Sequence, residues 1–140
     1  RAWAMCAATE MHGGFGALRN ERTMTIGQRV TPHETSPRLA RDFARLAELW
    51  DEGLTRFGGP FLAGERFGAV DAFFAPVVFR VRTYGIDVGA AGAEWVKRML
   101  EQPAMRAWED AALAETFREA AHEAEVDAVG VVTEDQRALT

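Results

Sequence analysis

The sequence predicts an all-α bundle of roughly five or six helices, and three features point to it. Apolar residues recur at spacings of three and four in one stretch after another, which gathers them on single helical faces. The segment Gly68 to Gly85, GAVDAFFAPVVFRVRTYG, is apolar on so many sides that it reads as a central buried helix near 69–84. No strand-period alternation and no internal repeat is evident anywhere in the chain.

From Arg1 to about Arg22, the residues Ala4, Ala8, Met11, Phe15 and Leu18 share one helical face. Gly13, Gly14 and Gly16 weaken that helix, each by up to ~1 kcal/mol relative to Ala, so a bend near Phe15 is expected. Met5, His12 and Arg19 form a second line beside the core stripe. On the other side, Trp3, Ala7, Glu10 and Gly14 include small residues that suit close approach of another backbone. Residues 20–35, with Gly27 and Pro32, read as a connection.

The next helix has both ends marked. Ser36 is a good N-cap, and Pro37 suits the first helical position, where its missing N–H costs nothing. Leu39, Phe43, Leu46, Trp50, Leu54 and Phe57 supply the buried stripe, and Gly58-Gly59-Pro60 ends the helix. Arg41, Arg45, Glu48 and Glu52 read as its solvated face. Phe61-Leu62-Ala63-Gly64 should tuck under the body before the central helix begins.

In that central helix Phe73, Val77 and Tyr84 fall on one apolar face, and Phe74, Val78 and Val81 on the next. Charges at Asp71, Arg80 and Arg82 interrupt the run, so it is a core helix and not a membrane span. A further helix is expected at about 91–100, with Trp95, Val96, Met99 and Leu100. Another starts at Pro103, with Met105, Trp108, Ala112 and Leu113 inward. From Thr116 to Glu125 the apolar spacing fades. Val126, Val129, Val131 and Val132 belong to a tail that could dock in extended form.

The 140 residues fit one domain with a real core, and 48% hydrophobic content with four Trp and nine Phe argues for a folded globule. The net charge of −5 disfavours general nucleic-acid binding. That charge is uneven: residues 1–30 carry four Arg against two Glu, while residues 109–140 carry nine acids against two Arg. A single cysteine, Cys6, permits no internal disulfide and fits a reducing, cytoplasmic setting; on its helix it reads as a buried or half-buried thiol. The chain opens at Arg1 in mid-helix pattern, as a fragment of a longer protein would.

Little catalytic chemistry is visible. His12, His33 and His122 lack the paired spacing of zinc ligands, so no metal is expected. The Gly13-Gly14-Phe15-Gly16 run has neither the preceding strand nor the following Lys-Ser/Thr of a phosphate loop. Asp71 stands three residues after Gly68, where the acid of a capping box reaches back to the N-cap N–H. Gly68 and Asp71 are therefore read as a structural cap. Arg80 and Arg82 either pair with acids of the bundle or meet an anionic group in a cleft, which His12 and Arg19 could also line.

In combination these segments resemble one family, the C-terminal helical domain of bacterial cytosolic glutathione transferases. The link and cap Phe61-Leu62-Ala63-Gly64-Glu65-Arg66-Phe67-Gly68-Ala69-Val70-Asp71 is similar to that family's entry into its central helix. Ser36-Pro37 with Trp50 and Phe57-Gly58-Gly59-Pro60 is similar to the helix before it. Met99 to Glu109 resembles its last two helices, and Glu10-Met11-His12-Gly13-Gly14-Phe15 with Leu18-Arg19 resembles its first. The resemblance covers about residues 1–117 and leaves 118–140 as an acidic C-terminal extension. Two positions depart from the family pattern: Gly68 replaces the usual Ser or Thr cap, and Val70 stands where Ala is usual. The box should then lose one side-chain bond, a few tenths of a kcal/mol weaker by the usual ranking of Gly against Ser.

The resemblance implies a transferase whose glutathione thiolate attacks a hydrophobic electrophile. The thiolate would be held by an N-terminal thioredoxin-like domain that these residues do not contain, so no catalytic residue is expected here. This chain would bind the co-substrate through Met5, His12, Gly16, Arg19, Arg80 and Tyr84, and would homodimerise. Two competitors remain: a non-catalytic assembly module of the same fold, and a free-standing bundle that binds small apolar ligands.

Overall fold

The first helical stretch breaks where the glycines predict a bend. In the computed structural model, which describes residues 1–138, α1 (Ala2–Gly13) stops and α2 (Gly16–Glu21) starts on either side of Phe15. Phe15 itself takes the left-handed conformation, at φ 55°, although glycines flank it. Its ring is buried, so packing offsets a backbone cost of about 1–2 kcal/mol. From the neighbouring helix, Asp42 accepts a hydrogen bond from the Leu18 N–H at 2.9 Å, which satisfies a free donor of the first turn of α2.

α3 (Pro37–Phe57) forms as its end signals dictate: the Ser36 hydroxyl accepts from the Leu39 N–H at 3.1 Å, and Gly58 closes the helix at φ 61°. Leu39, Leu46 and Trp50 are fully buried. The Trp50 ring packs against Phe74 at 5.8 Å and Trp95 at 4.6 Å between centroids. Its indole N–H, by contrast, is buried without a partner among the described residues. The outer face of α3 is less bland than its charges suggest, because Arg45 reaches α1 and binds Glu10 through two guanidinium nitrogens, at 2.7 and 3.0 Å.

α4 (Ala69–Tyr84) is the central helix, lying against α1 and α5 (Gly89–Leu100), with α6 (Pro103–Ala114) beyond. Phe74, Val77, Val78 and Phe79 are completely buried. Phe73 is not; it is 46% exposed, contrary to its expected place in the core. Ala72 and Phe73 are exposed and Pro76 half-buried, which gives the helix one open sector that its neighbours do not cover. Trp108 of α6 is likewise half out, its ring edge-on to Phe79 at 5.1 Å. Of the expected tuck, only Leu62 is fully buried.

The connection and the tail depart furthest from the sequence reading. Residues Gln28–Pro32 form β1 and Gly130–Asp135 form β2, an antiparallel pair where no strand was expected. Val30 faces Val132, and a bulge between Arg29 and Val30 leaves Thr133 as the extra residue. Five residues bounded by Gly27 and Pro32 are too short to reveal alternation, and each strand finds its partner only across the whole chain. Before β2 the tail is helical, α7 (Ala120–Val129), with Val126 buried. With the broken first helix, this makes seven helices among the described residues. Of the extension expected at 118–140, the described residues pair with β1 through β2, and the last two lie outside the described ones. Cys6 is exposed, not buried, because the inward face of α1 is set by Ala7 and Met11.

Candidate functional site

The open sector of α4 is one wall of a cleft. Phe73, Pro76 and Arg80, one helical turn apart, face Met11 and His12 at the end of α1, Arg19 of α2 and Met24 beyond it. The cleft encloses about 420 Å³, enough for a small aromatic molecule. Its apolar walls are two methionine side chains, a phenylalanine ring and a proline ring. Its polar lining is His12, Arg19 and Arg80, with no acid.

Arg19 is held by the end of α1. Its guanidinium donates to the carbonyls of Met11 (3.0 Å), His12 (3.3 Å) and Gly14. These are the unpaired acceptors at the negative end of a helix, the natural place for a cation. Arg80 is 9% exposed and has no acidic partner among the described residues. Its Nε donates to the Arg22 carbonyl at 2.7 Å and its Nη1 to the Pro76 carbonyl at 3.3 Å, while Nη2 has no partner among them. Burial pulls the Arg80 pKa down to about 10, with the nearby charge of Arg19 acting in the same direction.

Met5, Gly16 and Tyr84 do not line the cleft. Met5 is 62% exposed on α1, and Gly16 opens α2 with free space around it. Tyr84 is buried and donates its hydroxyl to the Thr23 carbonyl at 2.6 Å; burial raises its pKa to about 12, outweighing the neighbouring Arg80 and Arg22 charges. This bond belongs to a set. Thr83 donates to the Thr25 carbonyl at 2.9 Å, and His122 Nε2 donates to the Met24 carbonyl at 2.9 Å. With Arg80 on Arg22, four successive carbonyls of an irregular, largely buried segment are each matched by a side chain. The end of α4 thereby fixes the residues on either side of Met24, and His122 of α7 holds Met24 itself.

Arg82 has an acid: its Nη2 lies 2.5 Å from Glu109 of α6. Arg22, Met24 and Pro76 were not singled out by the sequence, and Phe73 was read only as a core residue. Only Pro76 carried a usable signal, as a proline inside a helix marks a face where the backbone ladder is interrupted. Arg22 is 2% exposed, and donates to the carbonyls of Glu21 and Glu34 and to the Thr35 hydroxyl. Nothing in its local pattern announces that burial.

At the other end of α4, Asp71 is fully buried. One carboxylate oxygen accepts from the Gly68 N–H at 2.9 Å; glycine, lacking a side chain, returns nothing. The other accepts from the Leu62 N–H at 2.9 Å and the Trp95 indole at 3.0 Å. A single carboxylate therefore joins the loop, the helix start and α5. Among the described residues no group of three or more His, Cys, Asp or Glu could hold a metal ion, and no helix is long and apolar enough to cross a membrane.

No curated protein and no solved structure matches this chain. Residues 34–111, more than half of it, match the family described as the glutathione S-transferase C-terminal domain. That span runs from just before α3 almost to the end of α6, and includes the Asp71 network and Arg80. The chain belongs to the glutathione S-transferase C-terminal domain family.

Proposed function

We propose that this chain forms the co-substrate wall of a glutathione transferase-like enzyme. Glutathione, bound mainly by an N-terminal thioredoxin-like domain, would present its thiolate to an electrophile seated between α4 and the α1–α2 turn. The deprotonated sulfur is the nucleophile in such chemistry. The observation that carries this reading is the cleft itself: Met11, Met24, Phe73 and Pro76 make an apolar seat, and His12, Arg19 and Arg80 can orient polar groups on its occupant. Catalytic residues would lie in the partner domain. A homodimer, a role in detoxification and a cytoplasmic setting fit the same family reading.

A second reading, a non-catalytic assembly module, is favoured by a different feature. Phe67, Ala72, Ala75, Pro103, Met105 and Trp108 line an apolar groove of about 570 Å³ on another side of α4. Apolar grooves of this kind mark contacts with other proteins or domains. One experiment separates the readings: conjugation of glutathione to an aryl chloride, assayed with this chain alone and joined to a thioredoxin-like domain of the family. The enzyme reading expects turnover only in the joined protein. Turnover by the chain alone, or none in a correctly folded joined protein, would overturn it.

A further inference from the structure

Resting on the co-substrate reading, we infer that the cleft selects an aromatic or otherwise apolar molecule bearing a carboxylate, which binds the unpartnered edge of Arg80 while its apolar part lies against Phe73. Arg80 is nine-tenths buried, yet among the described residues its Nη2 donates to nothing, and its other two nitrogens reach only carbonyls. A buried guanidinium is usually matched by an acid, and Arg82, two residues on, has Glu109. The acid missing beside Arg80 is what an anionic ligand would supply.

The surroundings point the same way. Arg19 adds a second positive charge to the lining, with its N–H groups occupied by the carbonyls of Met11, His12 and Gly14. The lining thus offers the field of two cations but few free donors. That suits a planar monoanion, which a guanidinium edge matches in geometry, better than a strongly hydrated dianion such as phosphate. The half-exposed Phe73 ring and the two methionines provide the apolar seat. The protein as a whole is acidic, at −5, so general attraction of anions does not explain such a lining.

A carboxylate could come from the co-substrate or from glutathione itself. The test is calorimetric titration of this chain with 2-naphthoate, its neutral isostere 2-naphthamide, and glutathione. Naphthoate should bind about tenfold or more tighter than naphthamide, the scale of a charge-assisted bond in a partly dry site. Phe73→Ala, at an exposed position, should weaken both equally, and Arg80→Gln should erase the difference between them. If Arg80→Gln fails to fold, the ratio in the unsubstituted chain decides. Equal affinities would overturn the carboxylate assignment while leaving the apolar pocket standing. Binding of neither naphthalene would overturn both. Glutathione binding alone, with the same dependence on Arg80, would assign the site to glutathione and overturn the co-substrate assignment.

Discussion

α4 buries a charged side chain near each end, and the two are satisfied in opposite ways. Asp71 receives three N–H donors, from Leu62, Gly68 and Trp95, and has no route to solvent. Arg80 is almost as deeply buried, but holds two carbonyls and keeps a donor edge toward a cleft. The first charge is consumed by the fold. The second supports the fold through Nε and Nη1 and has binding capacity left over. A buried charge on a central helix is therefore a sign of function only after its partners have been counted.

The comparison breaks most visibly at Asp71. Asp71→Ala leaves a buried indole N–H and two backbone N–H groups without an acceptor, and should cost about 3–5 kcal/mol of stability. A capping role alone would cost only about 0.5–2 kcal/mol, so urea denaturation distinguishes a hub from a simple cap. A smaller effect is expected at the Arg80 end. Tyr84→Phe removes the bond to Thr23 and should cost about 0.5–1.5 kcal/mol at neutral pH.

That cost should depend on pH in a stated direction. The folded-state pKa of Tyr84, about 12, lies above its ordinary 10.0. Its contribution is complete below pH 10 and is lost as pH rises through 12. The stability difference between the native chain and Tyr84→Phe should shrink across that window. Arg80 works in the other sense, since its pKa is lowered from 12.5 to about 10. That direction reflects the cost of burying its charge, and because both chains carry Arg80 it does not enter their difference. Unfolding midpoints from pH 8 to 12 on both chains measure the difference.

The smallest effect concerns an arginine that does have acids. Arg137 binds Asp135 at 2.7 Å and Glu123 at 2.8 Å, and it holds the Asp135 pKa down to about 2, from 3.8. The stabilisation is present above pH 3.8 and is lost as pH falls through 2. Asp135 is partly exposed, so solvent screening keeps the effect small. Protection of the Val30 and Val132 amides, measured against the intrinsic exchange rate at each pH, should fall over that window, and Asp135→Asn should reduce that change.

Much of the fold was legible because its signals are local. Ser36-Pro37 and Gly58 mark the ends of α3, and Gly68, Asp71 and Gly85 mark those of α4, within a few residues of where they act. The two further partners of Asp71 were not legible, since Leu62 and Trp95 reach it only through tertiary packing. Nor was the β1–β2 pair, which joins residues about a hundred positions apart. For the site, helical spacing brought out His12, Arg19 and Arg80, which the structure gathers at one cleft. Met5 and Tyr84 share faces with them on a helical wheel, but a wheel does not show which sector the neighbouring helices cover. Met24 and the buried Arg22 lie in an irregular segment with no periodicity to read.

The division of labour along α4 is tested most directly by ligand-induced stabilisation in two variants. Saturating 2-naphthoate should raise the unfolding midpoint of the native chain, since a ligand that binds only the folded state stabilises it. Asp71→Asn should start from a lower midpoint and keep the ligand-induced rise, whereas Arg80→Gln, which also gives up the bonds to the Arg22 and Pro76 carbonyls, should lose the rise whatever its starting midpoint. A folded Asp71→Asn chain without the rise, or an Arg80→Gln chain that keeps it in full, would contradict the assignment of one charge to the fold and the other to binding.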